Sequence, residues 1–186
     1  MTIYTIGHST RSFEDFLSLL QRSRIECLVD VRTFPGSRRH PHFNREVLEH
    51  SLQDAGIEYL HRPALGGRRR PPRDAPPSAW RNEGFRGYAA YMQTPAFRAA
   101  LDDLIVLGDR RRTAIMCSEA VPWRCHRALI SDALTARGVT VEHILDAGES
   151  PHRLTSFAVV HGDEVTYPPT ADFERDAQHA LEFGDS

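Results

Sequence analysis

Apolar positions along the chain switch repeatedly between short β-branched runs and longer stretches with helical spacing. Residues 3–6 read as a short buried strand, and Ser12 with Asp15 forms a capping box ahead of Phe13, Phe16, Leu17 and Leu20 at helical intervals. Residues 26–31 give a second strand, after which Asn44 can cap a helix carrying Leu48, Leu52 and Ala55 that stops at Gly56. Residues 57–60 give a third strand. Thr94-Pro95 opens a helix with Phe97, Leu101, Leu104 and Ile105 on one face, and residues 113–116 give a fourth strand. A helix from about Arg124 to Arg137 ends at Gly138, residues 139–144 form a fifth strand, and residues 157–160 and 164–167 flank His161-Gly162-Asp163 as a hairpin.

This alternation predicts an α/β protein of three layers: a mainly parallel sheet of about five strands, helices on both faces and a C-terminal hairpin. Residues 1–170 read as one domain and residues 171–186 as an acidic tail, either a docked helix or a frayed end. Residues 66–84 break the pattern, with Arg68, Arg69, Arg70, Arg73 and Arg81 set among Pro71, Pro72, Pro76 and Pro77. Proline denies that stretch a regular element, so it is either a mobile lid or disordered. Trp80, Tyr88, Tyr91 and Met92 read as core or lid packing rather than a base-stacking platform, because the last three have helical spacing.

Composition narrows the function classes. A net charge of -2 over 186 residues gives no global attraction to nucleic acid or membrane, so a basic site must be local. All 23 basic residues are Arg, which removes lysine Schiff-base chemistry and the lysine of a phosphate-binding P-loop. Three Cys make no disulfide framework, the start lacks a signal-peptide pattern, and no run approaches the roughly 20 apolar residues of a membrane span. A cytoplasmic protein with free thiols and no membrane partner is expected; oligomeric state is not legible.

Ligands of open parallel sheets bind beyond the carboxyl ends of the strands. The segments expected there are Gly7-His8-Ser9-Thr10, Asp30-Val31-Arg32, Leu65-Gly66-Gly67 and Cys117-Ser118-Glu119. The richest runs on through Pro122 to Arg124, Cys125, His126 and Arg127 as strand four passes into a helix. Cys117, near a helix N-terminus and arginines, is expected to be the more exposed and more acidic thiol, unless Glu119 lies close enough to oppose that bias. The strand-Cys-loop-Arg-helix order superficially resembles rhodaneses and cysteine phosphatases. Six residues separate Cys117 from Arg124 here, however, one more than in those loops, and Pro122 and Glu119 suit a phosphate cradle poorly. Cys117, Glu119, Cys125 and His126, with His8 as a further candidate, are also zinc or iron ligand types. Adjacent residues point about 100° apart on a helix, so Cys125 and His126 can share an ion only if they precede its first regular turn.

The motifs Thr5-Ile6-Gly7-His8-Ser9, Asp30-Val31-Arg32 with Pro35, Ser37 and Arg38, Leu65-Gly66-Gly67, and Cys117 through Arg127 closely resemble the bacterial and archaeal domain of unknown function 488 family, in order over about residues 3 to 145. The resemblance implies a small cytoplasmic α/β domain and little mechanism. Three functions remain open. One is an enzyme, a hydrolase or transferase, acting on a phosphate-bearing substrate such as a nucleotide or nucleic acid. Cys117 or Glu119 would be its central group, assisted by Asp30, His126 and His8, with Arg32, Arg38, Arg124, Arg127 and Ser9 holding the anion. The second is a non-catalytic module that binds a small anion or nucleic acid through the same arginines. The third is a metal or redox sensor built on Cys117, Cys125 and His126. The sequence requires no cofactor, and a metal is the one it would admit.

Overall fold

The strand–helix alternation resolves into a six-stranded sheet in the computed structural model, which describes residues 1–169; the acidic tail at 171–186 lies outside the described residues. Strands β1 (Thr2–Gly7), β2 (Cys27–Asp30), β3 (Glu58–His61), β4 (Thr113–Cys117) and β5 (Thr140–Leu145) are parallel. A sixth, β6 (Gly148–Pro151), pairs antiparallel with β5, giving the order β3-β2-β4-β1-β5-β6. Strands β7 (Val159–His161) and β8 (Glu164–Thr166) form the expected hairpin, separate from the main sheet.

Alternation along each strand supplies two apolar faces. Tyr4, Ile6, Leu28, Ala114 and Met116 pack under helices α1 (Phe13–Arg22) and α2 (Arg45–Asp54) through Phe16, Leu20, Leu48 and Leu52. Ile3, Cys27, Val29, Ile115 and Val141 pack under α3 (Glu83–Met92), α4 (Pro95–Arg110) and α5 (Arg127–Ala136) through Tyr88, Leu101, Leu129 and Ile130. Ser12 and Thr94 cap α1 and α4 as their sequence positions suggest, the Oγ of Ser12 accepting from the Asp15 N–H and that of Thr94 from Phe97. Asn44 precedes α2 but its side chain instead accepts from the N–H of Ser37, tying down the loop after β2.

The helix expected from Arg124 begins only at Arg127. Pro122–Arg124 form a turn of 3₁₀-helix, and Cys125 is extended at φ -139° and ψ 152°, which breaks the ladder before α5. Residues 66–82 hold no helix or strand, as the prolines demand, but the segment is anchored. Arg69 bonds the carbonyls of Pro63, Ala64 and Gly66 and lies over the ring of Tyr91, while Trp80 stacks on Phe85 and meets Phe157 and Tyr167 edge-on.

The connections place the site. The helix after β1 (α1) covers one face of the sheet and the helix after β4 (α5) covers the other, although β1 and β4 are neighbours. The loops leaving these adjacent strands therefore diverge and open a crevice at their carboxyl ends.

On the α5 face a buried polar chain fastens β5 and β6 to the helix. The Asp132 carboxylate can only accept, so His152 Nε2–H donates to it at 2.8 Å; His152 Nδ1 and His143 Nε2 share a hydrogen bond at 3.0 Å, and His143 Nδ1 and the Thr5 hydroxyl share another at 2.8 Å. The carboxylate also accepts from the hydroxyls of Thr155 and Tyr167, each at 2.7 Å, and from the Thr155 N–H at 3.0 Å. Burial, with His152 and Arg127 nearby, pushes His143 down to about 4. The unfolded chain, with His near 6.5, then binds more protons than the native state between those values. His143 thus contributes stability that is complete above about pH 6.5 and lost as pH falls through 4. Urea unfolding is expected to show about 2–3 kcal/mol less stability at pH 4 than at pH 7 from this group alone. A His143 ring that titrates near 6.5 by NMR in the folded protein would contradict this.

Candidate active site

The crevice is a cleft of about 770 Å³ whose walls come from the loops after β1, β2, β3 and β4. Two close backbone approaches shape it. A Cβ built on Gly7 would overlap the carbonyl of Glu119, and one on Gly67 would overlap the imidazole of His126, so both positions require glycine. Pairing between β1 and β4 continues past the strands, with His8 N–H on Cys117 O at 3.0 Å and Ser9 N–H on Ser118 O at 2.9 Å. Ser9 turns the chain away in the left-handed region at φ 50°.

The floor is made by Cys117, Cys125 and His126. Their ligand atoms all lie within 4.8 Å of one another, and His126 Nδ1 is 3.4 Å from Cys125 Sγ and 4.0 Å from Cys117 Sγ. Nδ1 faces the sulfurs, while Nε2 is buried with no hydrogen-bond partner among the described residues. Both thiols are buried, so the expected difference in exposure is absent. The neighbouring Cys117 thiol, then the charge and N–H groups of Arg127, hold Cys125 down to about 6. Cys117, beside Cys125 and in a buried setting, is pushed up to about 12.

His8 reaches the cleft with both ring nitrogens engaged. Nδ1–H donates to Ser9 O at 2.9 Å, Nε2 accepts from Arg32 at 3.2 Å, and the ring stacks on Phe43. Burial, then the neighbouring Arg32, pushes it down to about 4, so it is neutral there. Asp30 is fully buried behind Arg32 and does not line the cleft. Its carboxylate accepts from the Arg32 guanidinium at 2.6–3.1 Å, from the Arg32 N–H and from the Tyr59 hydroxyl at 2.7 Å. Arg32 is thereby committed to Asp30, His8 and the carbonyl of Phe43.

The remaining arginines divide sharply. Arg124 is exposed on the cleft wall, and Arg38 is exposed but outside it. Arg127 is 1% exposed and donates to the carbonyls of Glu119 and Ala120, clamping the β4 loop to α5 instead of facing the cleft. Glu119 and Ser9 line the cleft, Glu119 from an exposed position. Left out of the site expected from sequence are Arg68 and Asn82 from the Pro/Arg segment, Phe85 from the start of α3, and Phe34, 71% exposed, all on the cleft surface. A signal for Arg68 was its place directly after the Gly66-Gly67 pair that ends strand three's loop.

Fold and cleft together define an α/β protein with a thiol–imidazole cluster at the strand ends. The family model described as Domain of unknown function DUF488 matches residues 12–134, and the chain belongs to that family. The match takes in Asp30, Arg32, Gly66, Gly67 and the run from Cys117 to Arg127, and begins after His8 and Ser9. No curated protein and no solved structure matches the chain. Among the described residues no helix is long and apolar enough to cross a membrane.

Proposed function

We propose that the protein is a cytoplasmic enzyme, a hydrolase or transferase, acting on a phosphate-bearing substrate held in the cleft between the β1, β2, β3 and β4 loops. The observation that carries this reading is the convergence of Cys117, Cys125 and His126 beneath walls that present the exposed cations Arg68 and Arg124 beside the exposed ring of Phe34. Reactive groups below and charge-assisted donors above are what a group-transfer site needs. A volume of about 770 Å³ suits a mononucleotide or a short stretch of strand, with Phe34 and Phe85 offering flat apolar faces to a base. The net charge of -2 gives no global attraction to a long polyanion, which favours the smaller ligand. Glu119 supplies a carboxylate in the same cleft for proton transfer.

Inorganic phosphate, mononucleotides and short oligonucleotides, tested by calorimetry and thermal shift, are expected to include at least one ligand that stabilises the protein. Arg68→Ala and Arg124→Ala should each weaken that ligand about tenfold or more, the loss of one charge-assisted hydrogen bond, with unfolding unchanged because both side chains are exposed. Wild-type protein indifferent to the whole panel, or arginine variants that bind as wild type does, would remove the reading.

A further inference from the structure

We propose that Cys117, Cys125 and His126 hold one zinc-class divalent cation whose fourth coordination position opens into the cleft. The donor set is two thiolate sulfurs and one imidazole nitrogen, a combination suited to tetrahedral zinc. Around such an ion, bonds of about 2.3 Å to sulfur and about 2.0–2.1 Å to nitrogen leave ligand S and N atoms roughly 3.6 Å apart. His126 Nδ1 lies 3.4 Å from one sulfur and 4.0 Å from the other, on either side of that separation. All three ligand atoms fall within 4.8 Å of one another.

The backbone explains how neighbours in sequence converge. Cys125 is extended after the 3₁₀ turn, so its side chain is not related to that of His126, the N-cap of α5, by the helical rotation that would separate them. Gly67 keeps the space beside the imidazole free. Ser118 Oγ stands 3.9 Å from Cys117 Sγ, and Tyr88 packs against the His126 ring with centroids 5.2 Å apart. Three protein ligands on a cleft, rather than four in a closed shell, match the pattern of exchangeable catalytic sites rather than structural ones. A cation there would polarise a bound water or a substrate oxygen. The third thiol, Cys27, lies on β2 outside the cluster and belongs to the hydrophobic core.

Metal occupancy and ligand recognition fail separately, because the site stands whatever substrate the cleft takes. Reduced, chelator-stripped protein titrated with Co²⁺ should take up one equivalent, develop thiolate-to-cobalt charge-transfer absorption and release the cobalt to Zn²⁺. X-ray absorption of the zinc form should show two sulfur neighbours and one imidazole. Cys117→Ala, Cys125→Ala and His126→Ala should each lower cobalt affinity at least a hundredfold, while Cys27→Ala and Arg124→Ala keep one equivalent. Near-ultraviolet circular dichroism of each variant separates lost ligation from lost fold, and the wild-type titration does not depend on any variant folding. Wild-type protein with three titratable thiols and no charge-transfer band in excess cobalt overturns the proposal. So does a zinc shell without sulfur, or a Cys117–Cys125 disulfide as the form that persists under reducing conditions.

Discussion

Asp30→Ala is expected to destabilise the protein by about 3–5 kcal/mol, the scale of breaking a buried ion pair from one side. The carboxylate is fully buried and carries the guanidinium of Arg32 and the hydroxyl of Tyr59. Without it Arg32, only 7% exposed, keeps just the Phe43 carbonyl and a neutral His8 as partners for a full positive charge. The loss would reach the cleft, since Arg32 positions His8 and the loop that carries Phe34 and Ser37. Tyr59→Phe should cost about 1–2 kcal/mol, because it removes one hydrogen bond to a charged acceptor. Asp30→Leu combined with Arg32→Met should recover most of the deficit, since removing both charges leaves none unpaired. Urea unfolding of the four proteins reads this out. A single Asp30→Ala change costing under about 1 kcal/mol would mean that the pair is hydrated rather than buried.

That pair marks how far the sequence could be read. The strand–helix alternation was legible because β1, β2 and β4 are largely apolar runs buried on both faces, the pattern a parallel sheet imposes, and β5 buries Val141, His143 and Ile144. Strand β6 was not, since Gly148–Pro151 is four residues without a large apolar side chain, as an edge strand allows. The gathering of His8, Cys117 and Glu119 followed from their positions at strand ends, and His126 joins them as the N-cap of α5. The separate tasks of the arginines did not, because a chain whose cations are all Arg gives no compositional difference between the buried clamp Arg127, the buried partner Arg32 and the exposed Arg124. One clue was present: Asp30 and Arg32 are two apart on extended chain and so project to the same side, where they can pair. A similar clue lay in β5, where His143 follows Val139 and Val141 at period two and thus takes an apolar-face position that demands a partner. Its direct partners are Thr5 on β1 and His152 just after β6, and Asp132 on α5 is reached only through His152, so no local pattern joins the group. The break at Cys125 was foreshadowed only by Pro122, which lacks the N–H a continuous helix from the loop would need.

Gly7→Ala is expected to be the most damaging single-methyl change in the cleft. The added Cβ would overlap the carbonyl oxygen of Glu119, sit 2.6 Å from its carbonyl carbon and lie 2.9 Å from Arg127 Nη2, and these neighbours are backbone and a buried clamp that cannot swing aside. Relief requires the ends of β1 and β4 to part. That puts the bonds from His8 N–H to Cys117 O and from Ser9 N–H to Ser118 O at risk, together with the clamp from Arg127 to Glu119. Overpacking strain and one or two lost hydrogen bonds sum to about 3 kcal/mol or more. Because Cys117 ends β4, the same movement would carry its sulfur away from His126, so thiol–imidazole chemistry should fail even where the protein remains folded. Gly36 is the matched control. It lines the same cleft, a Cβ there meets nothing within 4 Å, and Gly36→Ala should stay within about 0.5 kcal/mol of wild type. Denaturant midpoints of the two variants, measured with one shared m-value, compare them directly. Equal midpoints would show that β1 and the β4 loop do not approach closely in solution, and the account of the cleft as a crevice pinned open by Gly7 would have to be abandoned.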